Sequence, residues 1–248
     1  MNSLPAAIAV WCLWLAPVLA QAAASAAPPA STTPPTTVAT TTATSDAPPV
    51  ATGPKLTNFA GTVFEGIVGE SAPEVSLDFA AGATVGAMPL ILEKTTLDQL
   101  QQSFGGLIHA QGSGTDAVSW LCFTQHAATK RDTPTTVWFA STVPAPAASG
   151  VSLVVAQRVD ASKASGCATA PKGFAFPAFG VPGLGATLAD LKGRFGVLKR
   201  DRQGNAYFDS IRALGDGSGR SVYQTLGYAI GKKKGRVSGI ALSQTTTD

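Results

Sequence analysis

Few residues in this sequence are of a type and spacing that could do chemistry. His109 and His126 are the two histidines, each in polar, loop-like surroundings, and no Gly-x-Ser-x-Gly elbow accompanies them, so a Ser or Cys nucleophile activated by histidine has no sequence support. Nothing has the ligand spacing of a zinc site, and no metal or cofactor is expected. A carboxylate pair of the glycoside-hydrolase kind is a spatial arrangement that spacing alone does not reveal. Asp98, Asp190, Asp201 and Asp216, however, stand at helix starts or turns, where capping and turn roles account for them. The run GDGSGRS at 215–221 is as glycine-rich as a phosphate-binding loop but lacks the lysine and the following helix. It reads as a hairpin turn.

Cysteine is the exception. Cys12 lies in an apolar N-terminal run and leaves with it on cleavage, which keeps Cys122 in SWLCFT and Cys167 in ASGCATA. An even pair in an oxidising compartment implies a Cys122–Cys167 disulfide tying a strand to a loop, with two buried free thiols as the alternative.

The N-terminus points to that compartment. Residues 1–45 carry no charged side chain, and AAIAVWCLWLA at 6–16 is continuously apolar. Small residues at the −3 and −1 positions follow, so 1–22 reads as a secretory signal with a mature chain starting near Gln21 or Ala23. The n-region has no Lys or Arg, which leaves an uncleaved anchor as the alternative. Bulky Trp11 before Cys12 argues against a lipoprotein. Periplasmic or secreted localisation is expected.

Residues 23–54 are a Pro/Thr/Ala tract without the apolar side chains that a core needs, and read as a disordered linker. The remainder is poor in charge, 13% over the whole chain against 45% hydrophobic, which suits a β-rich exported domain. Strand candidates at 55–94 are TVFEGIV, EVSLDF and PLILEK. Two helix candidates follow, TTLDQLQQSFGG at 95–106 and ATLADLKGRFGV at 186–197. Each has leucines and a phenylalanine at i, i+3 and i+7, an N-terminal Thr with an acceptor three residues on, and a closing Gly. Three stretches rich in β-branched and aromatic residues follow each helix: AVSWLCFT, TTVWFAST and GVSLVVAQRV, then NAYFDSI, SVYQTLGYAI and RVSGIALSQ. The expected fold is α+β: two tandem helix-then-antiparallel-meander units at 95–170 and 171–248, forming one or two sheets with helices on one face, preceded by extra strands.

The Thr-Leu-x-x-Leu-x-x-x-Phe-Gly helices, each followed by an aromatic meander, resemble the tandem units of secreted β-lactamase inhibitory proteins. They are also similar to the single unit of small outer-membrane-assembly lipoproteins of the BamE type. The resemblance covers about residues 90–244 and implies a concave sheet whose exposed aromatics contact a protein partner. Candidates for that role are Trp120, Trp138, Phe139, Tyr207, Phe208, Tyr223 and Tyr228, of which adjacent pairs must point to opposite faces of a regular strand.

Charge adds a second candidate surface. Lys plus Arg against Asp plus Glu is 7 against 10 over residues 46–172 but 11 against 5 over 173–248. Lys232, Lys233 and Lys234 at one turn, and Lys199, Arg200 and Arg202 at another, suit an acidic protein or an anionic envelope polymer. The expectation is an exported, non-enzymatic protein-binding module, periplasmic or secreted, of inhibitor or immunity type. Its partner is a protein, with no nucleic acid and no membrane span after signal cleavage. An envelope hydrolase and an outer-membrane assembly or scaffold factor are the alternatives.

Overall fold

A computed structural model describes residues 72–112, 117–125, 133–142, 150–159, 166–232 and 235–247. The chain divides into two units, Met1–Asp46 and Ala47–Asp248, and every described residue belongs to the second. The expected signal, the linker and the strand candidate TVFEGIV lie outside the described residues.

Strands dominate. A two-residue pair, β1 (Thr84–Val85) and β2 (Met88–Pro89), precedes helix α1 (Leu97–Phe104). Then come β3 (His109–Gln111), β4 (Val118–Gln125), β5 (Thr135–Ser141), β6 (Leu153–Arg158) and β7 (Ala168–Thr169), followed by helix α2 (Leu188–Phe195). The chain ends in β8 (Ala206–Ala213), β9 (Ser221–Ile230) and β10 (Val237–Thr247). The main sheet has the order β3-β4-β5-β6-β10-β9-β8. Every pairing along it is antiparallel, and short β7 adds a parallel pairing to β4.

The two sets of strands meet at β6 and β10, where Val154, Val155 and Ala156 lie opposite Leu242, Ala241 and Ile240. All six side chains are buried. Alternation along each strand then sorts side chains between two faces. One face carries Leu121, Phe123, Phe139, Val154, Phe208, Leu226, Tyr228 and Leu242, together with Leu97, Leu100 and Leu191 of the helices and Phe79, Leu90 and Leu92 of the N-terminal segment. The other carries a smaller cluster of Trp120, Cys122, Trp138, Ala140, Leu153, Val155, Ala229 and Ala241.

Both helices are closed by reciprocal caps. Thr96 Oγ1 accepts from the Gln99 N–H while Gln99 Oε1 accepts from the Thr96 N–H, and Thr187 and Asp190 repeat the exchange. Gly105 and Gly196 follow at φ 75° and 76°. The phenylalanines at the helix ends reach the sheet, Phe195 stacking on Phe208 at 4.1 Å and Phe104 meeting Phe123 edge-on at 6.4 Å.

The α+β layout of two tandem helix-then-meander units is corrected by this architecture. Strand accounts for 43% of the described region and helix for 11%, in two helices of eight residues, so the fold is mostly antiparallel β-sheet. The capped helical pattern is genuine but short: α1 fully buries two side chains and α2 one. Long irregular segments cover the sheet as well. EVSLDF forms one isolated bridge, Glu74 to Asp209, and PLILEK forms no strand beyond Pro89, yet Phe79, Leu90 and Leu92 are buried. Alternating apolar residues there reflect a chain laid across a core, not a ladder.

The expected disulfide is present. Cys122 Sγ bonds Cys167 Sγ with Cα atoms 5.0 Å apart, closing a loop of 45 residues and fixing the turn that leads into β7. Replacing both cysteines by alanine lowers the unfolding free energy by about 2–4 kcal/mol through the loop entropy returned to the unfolded chain. A urea titration reads this as a lower midpoint with a steeper slope, because the denatured chain without the cross-link exposes more surface. An unchanged midpoint would remove the bridge from the account of stability.

Candidate interaction face

Strand register places Tyr207, Asp209, Ile211 and Ala213 of β8 beside Gly227, Thr225, Tyr223 and Ser221 of β9, and these beside Ala241, Ser243, Thr245 and Thr247 of β10. This is the same face that carries Trp120 and Trp138 in the first set of strands. It is closed there and open here. Trp120 and Trp138 are 3% and 1% exposed, whereas Ile211 and Tyr223 are 45% and 43% exposed and are register partners.

The open part is nearly free of charge. Ser221, Tyr223 and Thr225 of β9 lie beside Ile211, with Ser243, Thr245 and Thr247 of β10 beyond them, and the carboxylate of the patch, Asp209, accepts a 2.7 Å hydrogen bond from Thr225 Oγ1. Tyr207 closes the patch toward the β9–β10 turn; it is nearly buried, and its hydroxyl donates to Asp201 Oδ2 at 3.3 Å. Burial, and then the Asp201 charge, push that phenol's pKa up. Tyrosines, small hydroxyls and one aliphatic side chain give rigid apolar area with adaptable hydrogen bonding, the mix enriched in protein-binding surfaces.

Most of the aromatics expected to bind are placed elsewhere. Phe139, Phe208 and Tyr228 belong to the buried main core, and Trp120 and Trp138 to the second cluster. None of the five is available to a partner in this conformation. The adjacent pairs do diverge, Trp138 from Phe139 and Tyr207 from Phe208. Tyr228 donates its hydroxyl hydrogen to the Pro182 carbonyl at 3.0 Å, and burial raises its pKa. Tyr223 remains exposed, as does Lys232, while Lys233, Lys234 and His126 lie outside the described residues. Ile211 was not among the expected residues, though its place in AYFDSIRA, two residues from Asp209 and four from Tyr207, puts it on the same face as both.

Among the described residues no group of three or more His, Cys, Asp or Glu side chains is placed to hold a metal ion. His109 stacks on Trp120 with centroids 5.7 Å apart, and burial lowers its pKa against the opposing effect of a Gly166 backbone hydrogen bond.

The opposite side of β8–β10 holds a polar chain that sequence reading missed. Gln224 Oε1 accepts from the Phe79 N–H at 2.8 Å, and its Nε2 donates to Asp78 Oδ1 and Gln244 Oε1. Gln244 Nε2 donates to Glu93 Oε2, and Glu93 also accepts from the Thr246 N–H at 2.8 Å and Thr246 Oγ1 at 2.6 Å. Arg212 pairs with Asp78 at 3.1 Å. Asp78, Glu93, Arg212, Gln244 and Thr246 line a groove of about 820 Å³, and the network fastens residues 78–93 to the last strands. Glu93 carries a positive φ of 63°, and Gly150 packs so closely that a side chain there would overlap the Glu93 backbone. A signal for the network existed, since Gln224 interrupts the apolar series Val222, Leu226, Tyr228 on a core-facing strand edge.

No family model matches this chain, and no curated protein or solved structure is significantly similar to it.

Burial alone would raise the Glu93 pKa, but hydrogen bonds from Thr246 and Gln244 outweigh it and hold the carboxyl below its ordinary value. A carboxylate with a lowered folded pKa stabilises fully above the unfolded pKa and loses that stabilisation as pH falls through the folded value. Glu93→Gln therefore costs about 1 kcal/mol at neutral pH, the scale of a partly exposed charge-assisted hydrogen bond. Thermal melts of the two proteins from pH 7 down to pH 3 should converge toward the acid end. A constant offset at every pH would assign the loss to shape instead of charge.

Proposed function

We propose that this is an exported, non-enzymatic protein-binding module that engages its partner through the open face of β8–β10. The observation that carries the reading is the exposed Ile211–Tyr223 pair, set in a nearly charge-free field of hydroxyl side chains within a region that is otherwise strongly basic. A disulfide between Cys122 and Cys167 supports export. Action as an inhibitor or immunity-type protein follows from the resemblance of the helix motifs to the β-lactamase inhibitory proteins and is part of the same proposal.

The partner is a folded protein presenting a complementary apolar patch, because a face built on rigid strands is pre-organised and loses little entropy on docking. The purified full chain, immobilised and exposed to envelope and culture extracts, should retain one protein saturably. Ile211→Ser with Tyr223→Ser should weaken that capture by about tenfold or more, the effect of losing a central aromatic anchor. Circular dichroism melts of the double variant should stay within a few degrees of the parent. Equal capture by parent and variant would place binding elsewhere, and turnover of peptidoglycan or ester substrates by the purified chain would replace this reading with a hydrolytic one.

A further inference from the structure

Two basic turns that are distant in sequence line one groove. Arg200 and Arg202 precede β8, Lys232 lies in the turn between β9 and β10, and together with Asp201, Gly204, Gly231, Gly235 and the side of Leu188 they enclose an open volume of about 560 Å³. All three cations are exposed, and among the described residues none forms an ion pair; the ion pairs there are Arg212–Asp78 and Arg220–Asp216. The acid in the lining, Asp201, is already engaged. It accepts from the Asn205 N–H at 2.8 Å, from Asn205 Nδ2 at 3.1 Å and from the Tyr207 hydroxyl. Its donors are neutral, so the groove carries three cations against one carboxylate, a net positive charge.

We infer that the groove is an anion-recognition site for an acidic polypeptide segment, the part of the protein partner that runs past the Ile211–Tyr223 face. This rests on the proposed protein-binding role and names the chemistry of its second contact. Geometry favours spaced carboxylates over a single compact anion. A phosphate site gathers backbone N–H groups around one point, but the three glycines here have none to spare: Gly204 N–H donates to Asp201 O, Gly231 N–H to Arg236 O and Gly235 N–H to Gly231 O. What remains are side-chain cations carried on two separate turns, a spread that matches carboxylates repeated along a chain. Arginine forks bind each carboxylate through two parallel hydrogen bonds, and the lysine adds a mobile point charge. Tyr207 links the two contacts, since its ring lies on the binding face and its hydroxyl holds the groove's own acid in place.

A short fluorescent polyglutamate peptide tests this on the purified full chain without the partner. Anisotropy should show saturable binding that weakens steeply as salt is raised from about 20 to 150 mM. Arg202→Glu with Lys232→Glu should weaken binding by about tenfold or more. Lys172→Glu, an exposed cation outside the groove, should change it less than about twofold. Ile211→Ser with Tyr223→Ser should leave peptide binding intact, so loss of the groove and loss of the apolar face are read separately. The inference is overturned by absence of saturable binding or by an equal loss in Lys172→Glu. It is also overturned if inorganic phosphate or anionic phospholipid vesicles compete better than the peptide.

Discussion

The pairing of β6 with β10 is the interaction on which the rest of the structure depends. Five register pairs, from Gly239 with Gln157 to Ser243 with Leu153, join strands that are far apart in sequence. Without them the strands would form two smaller sheets, each with an unprotected inner edge and an apolar strand exposed along it. Because Val154, Val155 and Ala156 meet Leu242, Ala241 and Ile240, the seam is apolar on both faces, and burial on each side holds its register.

Beyond the seam the two faces diverge. On one, the helices, the N-terminal segment and the Phe174–Leu184 stretch lie over a continuous core. On the other, Trp120 and Trp138 are enclosed while Ile211 and Tyr223 stand free. β10 also outruns β6, and Glu93 occupies the place where a neighbouring strand would otherwise bond, accepting the Thr246 N–H. One carboxylate thus blunts a free strand edge and ties residues 78–93 to the end of the chain. The positive φ of Glu93 is the local strain that this placement carries, and Gly150, without a side chain, leaves room for the Glu93 backbone.

Local chemistry was legible in the sequence. Both capping boxes and the six long strands follow from residue types at short spacing, the Cys122–Cys167 bridge follows from counting cysteines, and the structure contains each. What the sequence did not disclose was proportion and cover. A Leu-x-x-Leu-x-x-x-Phe face signals a helix without saying that it spans only eight residues, so helical content was overestimated. Strand alternation separates Trp138 from Phe139 but does not say which face is closed, and both proved to be buried. PLILEK looked like a strand because Leu90 and Leu92 alternate with exposed Ile91, the same pattern that an irregular segment gives when it presses every second side chain into a core. The Gln224–Gln244–Glu93 chain depends on contacts across some 150 residues of sequence, which no local pattern encodes.

The account predicts that a partner approaches from one side of the sheet, at β8–β10. A photoreactive phenylalanine analogue at Thr245, on the open face, compared with the same analogue at Gln102, on the exposed side of α1, measures this in the producing cell. Irradiation should give one covalent adduct with a protein partner from Thr245 and none from Gln102. Adducts of equal yield from the two positions, or from Gln102 alone, would contradict it.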